Sequence, residues 1–266
     1  MISSKKFWLK KSQILDWDKF PTEVYLKKKL GADWYRDGKL NIYKNCITYN
    51  LKKKSKNAII TISKDKKVNY YTYKNLDKKV NLFISYLNKN FHLKKNKEFR
   101  MMIHSSSTLE SAISMLACAK LGIHFSVIFE ELEEEAILKR IDLFNPDCFY
   151  TRQDISHFIN KYKKICKIHK SKIIFDENFK KNEKKINVVK FENKSFKSMK
   201  NFFTLFTSGS TGAPKGVTHA MGGYLVYSKF TCQEQFGMNS KSIALTASDA
   251  GWINGHTYAL FGPLSC

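Results

Sequence analysis

The residues best suited to chemistry run Thr204-Leu205-Phe206-Thr207-Ser208-Gly209-Ser210-Thr211-Gly212-Ala213-Pro214-Lys215-Gly216. A short apolar run empties into a loop of glycines and hydroxyls closed by a lysine. Gly209, Gly212 and Gly216 allow backbone conformations in which N–H groups converge on an anion. Thr207, Ser208, Ser210 and Thr211 add hydroxyl donors. Lys215 adds a mobile point charge, and Pro214 stiffens the turn before it. The chemistry this combination suits is phosphate binding. The common P-loop, G-x-x-x-x-G-K-[ST], is not matched, because Gly216 follows Lys215. A flexible Ser/Gly linker is the plainer reading of the composition. Against it stand a β-type run before the loop and a helix-type run after it.

Those flanks belong to a longer alternation. Strand-like runs are predicted at 58–62, 99–103, 123–129, 148–150, 172–175, 187–191, 202–206 and 242–246. Helical spacing is predicted at 73–90, 108–121, 132–143, 155–168 and 223–235. Thr108 suits an N-cap, Gly122 a helix end, and the Glu-rich start of 132–143 the positive end of a helix dipole. Strands alternating with helices imply an α/β fold of mainly parallel sheets with flanking helices. Ligands of such folds sit at the carboxyl ends of strands, where the Gly-rich loop falls. Residues 176–200 are polar and Lys-rich, and read as surface loop with one strand. Residues 1–57 read as an irregular, aromatic-rich N-terminal segment with a turn at Asp37-Gly38.

Composition narrows the function classes. Hydrophobic residues make up 43% of 266, enough for a real core, so disorder is not expected. No apolar run approaches the ~20 residues of a membrane helix, and the basic start lacks the apolar stretch of a secretory signal. The net charge of +24 could serve nucleic acid or an anionic membrane. Its lysines are scattered, however, and no basic helix with interleaved aromatics occurs. A solvated surface is the favoured account, with neither nucleic acid nor membrane as partner. Cys46, Cys118, Cys148, Cys166, Cys232 and Cys266 show no paired spacing. A metal site and a disulfide framework are both disfavoured, and reduced thiols in a cytoplasmic protein are expected.

A second stretch is Asp249-Ala250-Gly251-Trp252-Ile253-Asn254-Gly255-His256-Thr257-Tyr258, a corner with two aromatics and a histidine. Alone, His256 reads as a structural histidine, because no Ser, Cys or second His is spaced to complete a triad or metal site. The order T-S-G-S-T-G-x-P-K-G at 207–216 resembles the phosphate-binding signature of the AMP-forming acyl and aryl ligases, the adenylate-forming family. The corner resembles the next core motif of that family's acetyl-CoA and propionyl-CoA synthetase branch. Three further stretches match in order: Trp34 to Asn41 with Asn45-Cys46, Tyr71 to Leu76, and Ser114 to Gly122 followed by Phe125 to Phe129. The resemblance covers about residues 14–264.

The resemblance implies a two-step ligase using ATP, Mg²⁺ and CoA. A short-chain carboxylate, acetate or propionate, attacks the α-phosphate, and the thiol of CoA then displaces AMP. Thr207, Ser208, Gly209, Ser210, Thr211, Gly212 and Lys215 would hold the ATP phosphates. Trp252, Ile253 and Asn254 would border the acyl pocket and CoA channel. The resemblance also implies that residues 58–266 form an incomplete AMP-binding domain, truncated before the C-terminal lid that carries the adenylation lysine. No catalytic residue and no metal ligand is assigned within 1–266, and the chain alone is expected not to complete the reaction. Where the branch carries Gly-Gly-Phe this chain has Glu130-Glu131-Leu132, and the positions of its CoA arginines fall at His157 and Asn160. Carboxylates repel a phosphate-bearing ligand, which disfavours the usual CoA mode. The runner-up expectation is a non-catalytic nucleotide- or polyphosphate-binding remnant, and a basic polyanion-binding protein comes third.

Overall fold

The computed structural model describes residues 5–29, 31–52, 56–93, 98–208 and 213–266. The N-terminal segment is more regular than its sequence suggests. Helix α1 (Lys5–Ser12) precedes the antiparallel pair β1 (Tyr25–Lys27) and β2 (Ala32–Trp34), then β3 (Lys39–Leu40) and α2 (Ile42–Cys46). The turn at Asp37 is held by its carboxylate, which accepts from Thr22 N, Thr22 Oγ1 and Glu23 N at 2.8–3.1 Å. Next come the hairpin β4 (Asn57–Ile62) and β5 (Val68–Thr72), then α3 (Tyr73–Phe91), capped by Thr72 Oγ1 accepting from Asn75 N.

The chain then alternates: β6 (Arg100–His104), α4 (Leu109–Leu121), β7 (His124–Ile128), α5 (Glu134–Phe144), β8 (Cys148–Thr151), α6 (Ile155–Lys161), α7 (Lys163–His169), β9 (Ile173–Phe175) and α8 (Asp176–Asn182). After β10 (Phe196–Lys197) come β11 (Asn201–Ser208), β12 (Pro214–Ala220), α9 (Met221–Glu234), α10 (Ile253–His256), a π-helical turn (Thr257–Phe261) and α11 (Gly262–Ser265). One six-stranded sheet has the order β12-β11-β7-β6-β8-β9, parallel except at the β11–β12 edge. Strands β7 and β8 are buried along their whole length, because helices cover both faces. Met101 and Ile103 enter the larger core, on the side of α3 and α4, while Met102 enters the smaller one with Ile137 and Phe158.

Helix α4 is buried on every side from Ser111 to Lys120, as its lack of a polar face requires. Its one buried cation, Lys120, donates to Asn81 Oδ1 at 2.7 Å, stands 3.8 Å from Asp77 and lies over the Tyr43 ring. Both ends of α4 match the sequence expectation. Thr108 and Ser111 form a reciprocal capping box, and Gly122 closes the helix at φ 67°. A Cβ on Gly122 would stand 2.5 Å from the Phe196 ring, so glycine is needed there for space as well as for φ. Thr108→Ala should cost about 1 kcal/mol, measured as a shift in urea midpoint, because the Ser111 backbone N–H loses its Thr108 Oγ1 partner.

Several expectations are corrected. The predicted helix 155–168 is two helices, broken at Tyr162. The Tyr162 hydroxyl donates to Glu130 O and Leu132 O. Glu134 of α5 then caps the second helix, accepting from Lys164 N at 2.6 Å and Ile165 N at 3.1 Å. Helix 132–143 starts two residues later than expected, at Glu134. Residues 187–191 form no strand, since Val189 N donates instead to Ser85 Oγ at 3.0 Å. Within 176–200 the sequence places a loop where α8 stands. Residues 242–246 are irregular, with Ile243 84% and Leu245 93% exposed. No strand among the described residues offers them a ladder. No described helix is long and apolar enough to cross a membrane.

Candidate functional site

Strands β11 and β12 pair antiparallel on either side of the Gly-rich loop. Strand β11 enters it and β12 leaves it, with Thr207 opposite Lys215 and Ser208 opposite Pro214. The helix expected at 223–235 is α9, from Met221 to Glu234, and β12, which stands between it and the loop, is a strand not among those expected. Gly209, Ser210, Thr211 and Gly212 lie outside the described residues. The hairpin brings Thr207 and Lys215 together: the Thr207 hydroxyl donates to the Lys215 carbonyl at 3.4 Å, and both residues are exposed. Of Ser208 the backbone alone is placed, at the end of β11.

Below the turn the two strands are clamped by polar groups. Thr204 Oγ1 lies 2.7 Å from Thr218 Oγ1 and 2.8 Å from His124 Nε2 on β7. Gly216 rests over Thr204, where an added Cβ would come within 3.0 Å of Thr204 Cγ2. Phe202 and Phe203 are fully buried on β11. Each contributes about 2–3 kcal/mol by leaving water, so the strand that carries Thr207 is firmly seated.

The Trp252 corner lies beyond the carboxyl end of β7. Gly251 packs on the Phe129 ring, and Trp252 stands 5.6 Å from it. Ser107 Oγ donates to Ser248 O at 2.9 Å, tying the corner to the loop after β6. Trp252, Ile253 and Asn254 are all exposed at the start of α10. His256, two residues on, points inward. Its ring stacks on Phe125 at 5.7 Å and lies 4.6 Å from Phe203, with Nδ1 3.1 Å from Trp252 O. Burial pushes its pKa down to about 4, against the Trp252 carbonyl, which raises it. It is a neutral core histidine. Asp249, by contrast, is raised above the ordinary carboxylate range, by burial first and by Glu131 and Glu130 in addition.

The Glu130 turn also differs from expectation. The sequence presents Glu130 as a bare repelling charge, but its side chain is only 14% exposed and is paired. Arg152 donates to it from Nε at 3.2 Å and Nη2 at 3.4 Å, and Ser106 Oγ from 3.0 Å. Gln153 Nε2 donates to its carbonyl at 2.8 Å. His157 and Asn160 lie exposed on α6, away from this cluster of contacts. Arg152, which pairs with Glu130 at this turn, is a candidate-site residue that sequence reading misses. The signal available was its rarity, as one of four arginines among 47 basic residues. Among the described residues no three His, Cys, Asp or Glu side chains converge as metal ligands would.

Comparison with known proteins gives the family of the chain. A model described as AMP-binding enzyme matches residues 49–266, and one described as acetyl-coenzyme A synthetase N-terminus matches residues 3–46. The acetyl-coenzyme A synthetase of Helicobacter pylori (strain HPAG1) is 31% identical over 262 residues, covering 88% of this chain and 38% of its own. That of Psychromonas ingrahamii is 31% identical over 297 residues, covering 97% and 44%. That of Escherichia coli O157:H7 is 29% identical over 294 residues, covering 98% and 44%. The chain spans about two fifths of the length of the curated relatives it matches.

Proposed function

We propose, because the chain belongs to the AMP-binding enzyme family, that it supplies the phosphate clamp and part of the acyl pocket of an AMP-forming acid–thiol ligase. The observation that carries this is the hairpin holding Thr207 against Lys215 at the carboxyl edge of the sheet, the same edge at which Trp252 packs on Phe129. The substrate is a short-chain carboxylate, acetate or propionate. One of its oxygens attacks the α-phosphorus of ATP, and the bond to the pyrophosphate oxygen breaks. Negative charge then builds on the leaving pyrophosphate. Lys215, the Thr207 hydroxyl and donors of the loop 208–212 would meet that charge, and donors aimed at it stabilise the transition state more than the ground state. Trp252, Ile253 and Asn254 would wall the acyl side, and a bulky wall favours a small acid. Mg²⁺ would enter with the nucleotide's phosphates, as it does where one or two carboxylates and substrate oxygens hold it.

The second substrate is CoA, whose thiolate displaces AMP from the acyl-adenylate. The Glu130–Arg152 pair bears on this step. Glu130 is paired with Arg152 within the fold, so of the turn's two carboxylates it is the exposed Glu131 that would face a phosphate. The cellular setting that fits is the cytoplasm. ATP–pyrophosphate exchange with acetate and propionate tests the reading, on a polypeptide carrying these residues at its relatives' length. Exchange should depend on the carboxylate and fall about 10²-fold in Lys215→Ala. ATP binding without any exchange would support the alternative, a non-catalytic nucleotide-binding remnant.

A further inference from the structure

A second cavity, of about 530 Å³, opens at the opposite edge of the sheet from the hairpin turn. Strand β12 runs back from Pro214 to Ala220, six residue steps or about 20 Å, so this cavity is remote from Thr207 and Lys215. Trp8 of α1, Trp34 of β2 and Tyr224 and Tyr227 of α9 wall it. Thr218, His219 and Asn201 supply its polar groups. We infer that this cavity is a binding site for an uncharged, planar heteroaromatic molecule of two or three fused rings, distinct from the nucleotide and acyl sites.

Charge decides first. Charged residues make up 26% of the chain, yet none of the described residues lining this cavity is Lys, Arg, Asp or Glu. A phosphate or carboxylate entering it would lose water and gain no counter-charge, which costs several kcal/mol. ATP, CoA and short acids are therefore excluded as occupants. Shape decides next. Trp34 stands 5.5 Å from Trp8 and 5.1 Å from Tyr25, and the Tyr35 hydroxyl donates to Trp8 O at 3.0 Å. These contacts fix the aromatic wall before any ligand arrives. A Cβ on Gly223 would come 2.9 Å from Trp34 Cβ, so glycine lets α9 close against that wall. Flat rings stack on such faces. The polar groups then orient the ring edge. His219 stacks on Phe203 at 4.7 Å and 28°, and its neutral imidazole presents one donor and one acceptor. The volume falls within the range of small-molecule sites.

Tryptophan-fluorescence titration with lumichrome and with adenine, each neutral and planar, tests this, with AMP as the anionic counterpart. Saturable quenching is expected with the neutral probes, at least tenfold tighter than with AMP. Quenching should persist in Trp252→Phe, which reports the other site. Tyr227→Ala should weaken binding at least tenfold without altering the melting temperature of the free protein, since Tyr227 is 52% exposed. Ala220→Leu, which fills the cavity, should do the same. Absence of saturable quenching, unchanged affinity for the neutral probes in Tyr227→Ala, or AMP quenching of equal affinity that Tyr227→Ala weakens alike would each overturn the assignment. None of these outcomes depends on ligase activity, so the cavity and the proposed reaction can fail separately.

Discussion

Lowering the pH from 7 to 4.5 should strip the fold of roughly 6 kcal/mol, an amount within the whole stability of an ordinary domain. Three buried histidines cause it. His104, His124 and His256 all have pKa values lowered to about 4 from an ordinary 6.5. Burial is the largest cause in each. Glu130 and the Phe129 and Glu130 carbonyls raise His104 while Lys161 lowers it further, and Arg100 lowers His124 against Glu98. His104 Nε2, His124 Nδ1 and His256 Nε2 are buried without a hydrogen-bond partner, and the carboxylate facing His124 Nδ1, Glu98, stands 3.8 Å away. The unfolded chain binds protons from pH 6.5 downward, while the native chain takes them only near pH 4. The stability held by the neutral rings is therefore complete above pH 6.5 and is lost as pH falls through that window. At pH 4.5 each site accounts for about 2 kcal/mol. Asp37, lowered to about 2 because hydrogen bonds from Thr22 and Glu23 outweigh a raising effect of burial, loses its contribution only below this window. Urea unfolding from pH 7.5 to 4.5 should give a slope near three protons, falling by about one in His256→Gln. A flat profile would sink the account.

Why some of this is legible in the sequence, and some not, follows from the range of the forces involved. Strands β6, β7 and β8 read as short, mostly apolar runs because both their faces are covered. The limits of α4 are legible because Thr108 and Gly122 act within one turn of their own positions. Strand β12 is not, since Pro214-Lys215-Gly216-Val217-Thr218-His219-Ala220 has little β character of its own. It is a strand because β11 supplies its ladder and Thr204 pairs with Thr218. Conversely, residues 242–246 have β character and no ladder. The break at Tyr162 is invisible locally, because the groups that fix it, at Glu130, Leu132 and Glu134, come from an earlier turn and helix. The same holds at the candidate site. Thr207, Lys215 and Trp252 to Asn254 are contiguous signals. The Glu130–Arg152 pair joins two residues 22 apart, beyond the ends of the two strands that flank β6, which only the register of β6, β7 and β8 brings together.

Gly255→Ala should lower the melting temperature by about 2–12 °C, the largest effect expected from removing no side chain at all. A Cβ at this position would stand 2.1 Å from Asp249 O and 2.8 Å from Asp249 C. Those are backbone atoms of the turn that leads into Trp252, so no rotamer change can clear them. Trp252 N donates to Asp249 O at 3.1 Å, and His256 N to Trp252 O at 3.4 Å. Moving the turn therefore lifts Trp252 from Phe129 and withdraws His256 from between Phe125 and Phe203. Forcing one carbon into such a contact costs about 1–3 kcal/mol, and each kcal/mol moves the midpoint of a chain this size by about 2–4 °C. Gly237→Ala is the control. Gly237 sits at φ 60° with nothing within 4 Å of its added Cβ, so it pays only the backbone term of about 1 kcal/mol. Calorimetry should rank the two variants in that order, and Gly255→Ala should also shift Trp252 emission while Gly237→Ala does not. Equal melting temperatures would mean that the corner yields freely, and a corner that yields freely could not hold Trp252 as the fixed wall of a pocket selective for small acids.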